Sequence, residues 1–240
     1  MTTAPIPPTY ADAAAEVRHT SQAALRLPRG RGWRPYGPAI AGLSYLAAWT
    51  IGLAEWPANL AVNATGPQVA VSYAPHMAQA VIQYLLVEGL AGVMLGIVLG
   101  YAVLSRSRGH LVVRPKGAAL LAAIAVVVSV AQCVIGLFLA AAAARHDTAL
   151  SGDLFALVNR LDGVKMLALA GSAAWLASAR LTARWLRVTG FLLALAITVS
   201  GLAYLSLWNA LAWTASISGP LLLLWVTGTG VWLTGQRRRP

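Results

Sequence analysis

The sequence predicts an all-α fold, a polytopic membrane bundle of six transmembrane helices with both termini in the cytoplasm. Three observations predict it. The 240 residues are 58% hydrophobic and only 10% charged, whereas a soluble domain carries about 25% charged residues because its surface faces water. The apolar residues fall in blocks long enough to cross about 30 Å of hydrocarbon at about 1.5 Å per residue. The basic residues alternate in density from one connecting segment to the next, as positive-inside topology requires.

Residues 1–35 are rich in Pro, Ala, Thr and Arg, a composition that predicts a disordered cytoplasmic tail. The tail lacks the apolar core of a cleavable signal, so the first membrane helix is expected to serve as an uncleaved anchor. Spans are expected near 37–56, 77–104, 117–144, 156–179, 188–209 and 213–234 within a membrane domain of 36–236. A basic cytoplasmic end, 237–240, follows. Pro38, Pro75 and Pro115 stand at or just before three of the starts, where a missing N–H costs little. Between the first two spans, Thr65-Gly66-Pro67 resembles a helix start and predicts a short helix over the mouth of the bundle, as a lid or an orderly connection.

Of the 18 Lys and Arg residues, 15 lie in the tail, the 2–3 loop, the 4–5 loop and the C-terminus, and Arg145 alone lies in the opposite segments. This bias assigns the tail and those loops to the cytoplasm. Trp56, Trp208 and Trp213 fall at the outer boundary it defines, and Trp33, Trp185 and Trp232 at the inner one. The formal charge of +11 therefore reads as topology and retention by anionic lipid, and no nucleic-acid partner is expected. The partners expected are the lipid bilayer and a protein at the basic cytoplasmic face, with an oligomer possible through the glycine face of span two. The Ala/Arg/Gly-rich composition points to a bacterial plasma membrane.

Two spans carry charges that lipid would not tolerate. Glu88 is the only acid of YLLVEGLAGVMLGIVLG. Gly92, Gly96 and Gly100 follow it at four-residue steps and Tyr84 precedes it by four, so on a uniform helix all share one face. Small residues let a neighbouring helix approach closely, which aims Glu88 at protein. Span four contains NRLDGVKMLALAGSAAW, with Asp162 and Lys165 three apart on one face. A central charge costs roughly 2.5–3.5 kcal/mol on insertion scales while each Leu returns only about 0.3–0.6, so this span needs a partner to insert.

Counting rise from the flanking basic residues puts Glu88 and Asp162 about 27 Å, Gln132 about 24 Å and Lys165 about 22 Å from the cytoplasmic side. Four polar groups from three helices thus fall in one layer. Glu88, Lys165, Asp162 and Gln132 are the expected binding or coupling residues, lining an outward-opening cavity, because ionisable groups inside a membrane mark ion or substrate sites. Equally, Lys165 paired with Asp162 or Glu88 would simply pin helices together. Gly92, Gly96 and Gly100 are the expected packing residues.

The motif search excludes several classes. No HExxH, GxxxxGK[ST] or GxSxG occurs, which removes zinc-protease, P-loop and hydrolase readings. All four histidines fall in the tail or loops, so facing haem ligands are absent. Cys133 is the only cysteine, which excludes an intrachain disulfide and a cysteine-based zinc site. Neither cofactor nor metal is expected, and His76, His146, Asp147 and Asp153 read as exposed loop residues.

The segments AGLSYLAAWTIGL, RLDGVKMLALAGSAAWLAS and ARWLRVTGFLLALAITVSGLAYL resemble multi-pass bacterial membrane proteins classed as a domain of unknown function. The resemblance implies a six- or seven-helix bundle and no activity. Function divides between a non-enzymatic accessory, sensor or scaffold protein and a small transporter or channel-like protein using Glu88 and Lys165. An intramembrane enzyme on a lipid or quinone ranks behind, because a catalytic set must converge on one pocket and only its acid/base part is present.

Overall fold

The computed structural model describes residues 36–55, 60–106, 116–178 and 182–236. The expected tail 1–35, the basic end 237–240 and most of the basic loops lie outside them, as do Trp33 and Trp56. The described residues are helical, with no strand among them. The helices are α1 Gly37–Glu55, α2 Gly66–Tyr73, α3 Met77–Gln83, α4 Ala91–Arg106, α5 Lys116–Ala144, α6 Thr148–Ser178, α7 Arg184–Leu205, α8 Asn209–Ala212 and α9 Ala215–Gln236.

α2, α3 and α4 are one rod. A 3-10 turn, Ala74–His76, joins the first two and a π-helical turn, Tyr84–Leu90, joins α3 to α4. The second span was expected to begin near 77 behind Pro75. Instead the rod starts at Gly66, where the Gln68 Oε1 accepts a 2.9 Å bond from the Thr65 N–H, and the 3-10 turn absorbs Pro75. The segment expected to lie over the mouth is therefore the end of the rod itself.

Five helical stretches are long and apolar enough to cross a membrane: Gly37–Glu55, Gly66–Leu104, Gly117–Ala144, Arg184–Leu205 and Asn209–Gln236. α6 is long enough at 31 residues but carries Asp153, Arg160, Asp162 and Lys165. The outward side chains of the bundle fit lipid: Leu195, Val127, Phe138, Leu120 and Leu104 are each more than 60% exposed, a surface that water would not tolerate as a continuous belt.

Chain neighbours are space neighbours. α1 packs on the rod, the rod on α5, α5 on α6, α6 on α7, α7 on α9, and α9 closes the ring on α1. Each pair is antiparallel, which gives the ring an upper end, where Glu55, Gly66 and Ala144 lie, and a lower end, where Gly37, Arg106 and Gln236 lie. Two turns at the upper end use a left-handed residue. His146 (φ 57°) follows α5, and Asp147 Oδ1 then accepts the Leu150 N–H at 3.1 Å to open α6. Leu207 (φ 54°) ends α7, with the Trp208 N–H bonded back to the Ala203 carbonyl at 2.8 Å.

Close approach of α1 and α9 rests on glycine. A methyl group on Gly42 would meet the Thr227 backbone at 3.1 Å, and one on Gly230 would strike the Pro38 carbonyl. Two hydroxyl bonds cross that seam: Thr227 Oγ1 donates to the Gly42 carbonyl at 3.1 Å, and Thr234 Oγ1 accepts the Ala39 N–H at 3.1 Å. Thr227→Val keeps the shape and removes one of them. We expect a loss of about 0.6 kcal/mol, the average for an interhelical bond in a membrane bundle, measured by unfolding in mixed micelles. The lower half of the ring is filled by Leu99, Leu186, Leu193, Trp225 and Val226, each no more than 2% exposed.

Candidate functional site

Glu88 sits in the π-helical turn, whose wider hydrogen-bond spacing shifts the register of the residues that follow it. The turn is closed by the Ala91 N–H on the Leu86 carbonyl, five residues back. Glu88 points into the ring and is 8% exposed. From α6, which meets the upper end of the rod, comes Lys165. Its ammonium lies 2.7 Å from Glu88 Oε2 and 2.9 Å from Glu88 Oε1, and 2.7 Å from Asp162 Oδ1. Lys165 thus hydrogen-bonds both oxygens of Glu88 and ion-pairs with Asp162.

α5 supplies the remaining polar contacts. The Ser129 hydroxyl lies 2.8 Å from Glu88 Oε2 and 3.1 Å from the Glu88 carbonyl. Gln132 Nε2 donates to the Val158 carbonyl at 3.1 Å and, at the long distance of 3.4 Å, to Asp162 Oδ1. Gln132 Oε1 is buried and has no partner. Two carboxylates share one ammonium, so the cluster carries one surplus negative charge when all three groups are ionised. Burying charge demands pairing and hydrogen bonds; Glu88 obtains both, and Asp162, at 19% side-chain exposure, faces open space.

That space is a chamber of about 570 Å³ in the upper half of the ring, lined by every ring member except α5, with Glu88, Asp162 and Lys165 in its wall. Trp49, Tyr204, Ile197 and Leu222 give it a largely apolar lining. A second cavity of about 190 Å³ runs up between the rod and α6 past Tyr73 and Asn159 to Leu60 and Val62. Both are walled by Gln83, Val87, Glu88 and Tyr204. Below them the packed layer of Leu99, Leu193 and Trp225 begins.

The geometry brings together Glu88, Lys165, Asp162 and Gln132, the four residues that share a layer in the sequence. Lys165 does not choose between the two acids but holds both. The glycine stripe needs correction. Methyl groups on Gly92 and Gly96 would press on Ser129 at 2.8 Å and Val126 at 2.9 Å, but Gly100 has nothing within 4 Å. Gly89, on Cys133 Sγ at 3.2 Å, is a further close contact with α5 that the four-residue repeat does not include. Tyr84 keeps to the α5 side with Glu88, Gly92 and Gly96: its ring covers Gly136 of α5, and its hydroxyl meets that of Tyr73 at 3.1 Å.

Ser129, Gln83, Trp49 and Tyr204 belong to the site and were not read from the sequence. For Ser129 a signal existed, since it stands three residues before Gln132 in an otherwise apolar stretch of α5. No group of three or more His, Cys, Asp or Glu able to hold a metal occurs among the described residues. No protein-family model, curated protein or solved structure matches the chain.

Proposed function

We propose that this chain is a six-span protein of a bacterial plasma membrane, with both termini cytoplasmic, and that it works as a small transporter-like binding protein. Its upper end faces outward, and the Glu88–Lys165–Asp162 cluster is its ligand and coupling site. One observation carries the reading: the Glu88 carboxylate lines two cavities in the upper half of the ring, while the lower half is packed. A purely structural ion pair has no need of a chamber beside it. Asp162 is the reachable carboxylate, Glu88 the one clamped by Lys165 and Ser129. A cation arriving in the chamber completes the charge balance that Lys165 leaves one short.

In the Cys133→Ala background, a cysteine at Gln83 is expected to react with a membrane-impermeant thiol reagent added from the outside, and a cysteine at Leu193 is not. Glu88→Gln is expected to preserve the fold and to lower cation binding or flux at least ten-fold. If the position-83 cysteine is inert from outside and Glu88→Gln changes nothing, the cluster is a structural pin. The protein is then an accessory or scaffold acting through partners at its basic face.

A further inference from the structure

The chamber does not end at its own walls. Pro220 and Leu223 of α9 line it, and they also line a second, almost wholly apolar crevice of about 690 Å³. This crevice descends the lipid side of α9 beside Leu46 of α1 and Trp185 of α7, down to Val231 and Trp232. From Pro220 to Trp232 the helical rise is about 18 Å, the dimension of an extended alkyl chain rather than of a compact ligand. Polar chamber and apolar crevice thus adjoin at Pro220 and Leu223, the layout of an amphiphilic track.

The head of the track selects for positive charge. Asp162 and Glu88 hold one carboxylate more than Lys165 neutralises. Pro220 has no N–H, so the Ser216 carbonyl, on a residue of the same chamber wall, is left without its helical donor. Trp49 and Tyr204 offer aromatic faces, which attract ammonium groups. An anionic head would meet the surplus carboxylate charge, which the neutral donors of Gln83, Ser216, Ser218 and Tyr204 in the same wall do not offset.

We propose that the ligand is a single-chain amphiphilic cation, with its ammonium head against Asp162 and Glu88 and its alkyl chain leaving past Pro220 into the crevice between α1 and α9. This rests on the binding-protein reading above and names the ligand class for the same site. A lipophilic chain gains little by moving from lipid tails to an apolar protein groove. The crevice therefore acts by orienting the chain so that the head reaches the acids, and filling the crevice blocks long-chain ligands only.

The test uses the full chain in nanodiscs, carrying Cys133→Ala and Gln83→Cys, with the labelling rate at position 83 as readout. Dodecyltrimethylammonium is expected to slow labelling at least ten-fold, while tetramethylammonium or dodecanoate slows it less than two-fold. Leu224→Trp and Val231→Trp fill the crevice at positions 52% and 51% exposed, where lipid accepts a larger side chain; either is expected to restore the fast rate with dodecyltrimethylammonium present. Equal protection by tetramethylammonium, unaffected by both tryptophans, overturns the amphiphile and leaves a site for small cations. Equal protection by dodecanoate overturns the charge argument. Labelling that no probe slows overturns this inference, and an inert position-83 cysteine together with an unchanged Glu88→Gln overturns the binding reading itself.

Discussion

Lys165→Met is expected to cost about 3–5 kcal/mol of folding free energy, the range for leaving a buried charge without its partner. The methionine fills the same volume, so the loss is electrostatic. Glu88 then retains only the Ser129 hydroxyl, and Asp162 only the long Gln132 contact. Glu88→Gln is expected to cost less, about 1–3 kcal/mol, because Lys165 still holds Asp162 at 2.7 Å and the Gln oxygen still accepts a proton from it. The two residues touch, so their effects do not add; the double variant should deviate from additivity by about 0.5–3 kcal/mol. Denaturant titration of the four proteins in mixed micelles measures both quantities. Equal stability of Lys165→Met and the parent would mean that the carboxylates find another cation or are neutral.

The layer of polar groups was legible because depth along a helix depends on one number, the rise per residue. Errors of a residue or two at the ends of α5 and α6 do not move Gln132 or Lys165 far. Facing direction is less forgiving. The reading of Glu88, Gly92, Gly96 and Gly100 as one stripe holds as far as Gly96, since the first three all meet α5, and fails at Gly100, which has nothing within 4 Å; the seven residues of π-helical turn around Glu88 were not foreseen. Nothing in YLLVEGL marks that turn. It is set by what the rod must meet on other helices, Ser129 and Lys165 above all, and such a constraint is written in three segments rather than one.

The start of the second span failed for a related reason. Pro75 looks like a helix opener, because proline is most comfortable in a first turn. Here the backbone bends instead, with His76 at φ −117° and ψ 26°, and the rod runs on through a 3-10 turn. The choice was made by tertiary packing: a methyl group on Gly152 of α6 would meet Gly66 at 3.1 Å, and that contact holds the α2 end of the rod against α6. A cavity beside the charged layer was expected, but its walls, its size and the crevice were not legible, since a cavity is where side chains from five ring members fail to meet. Composition reports the apolar content of those side chains and not the gap between them.

Gly163 is where a single methyl group should disturb both the packing and the charged cluster. It stands on α6 between Asp162 and Lys165, and its added Cβ would fall 2.6 Å from both the Gly201 carbonyl oxygen and the Leu205 nitrogen of α7. Those are backbone atoms and cannot rotate away, so α6 and α7 must separate. Gly163→Ala should therefore destabilise at the upper end of, or beyond, the roughly 1–3 kcal/mol usual for overpacking, despite the better helix propensity of alanine. Gly100→Ala adds the same methyl group where nothing lies within 4 Å, and should gain up to about 1 kcal/mol of helix propensity. Opposite signs for one substitution at two glycines are measurable as opposite shifts of the unfolding midpoint. Separation of α6 from α7 also draws Lys165 off the rod, so Gly163→Ala should weaken ligand binding where Gly100→Ala does not. The same sign at both sites would place the contact that fixes Lys165 somewhere other than the α6–α7 crossing.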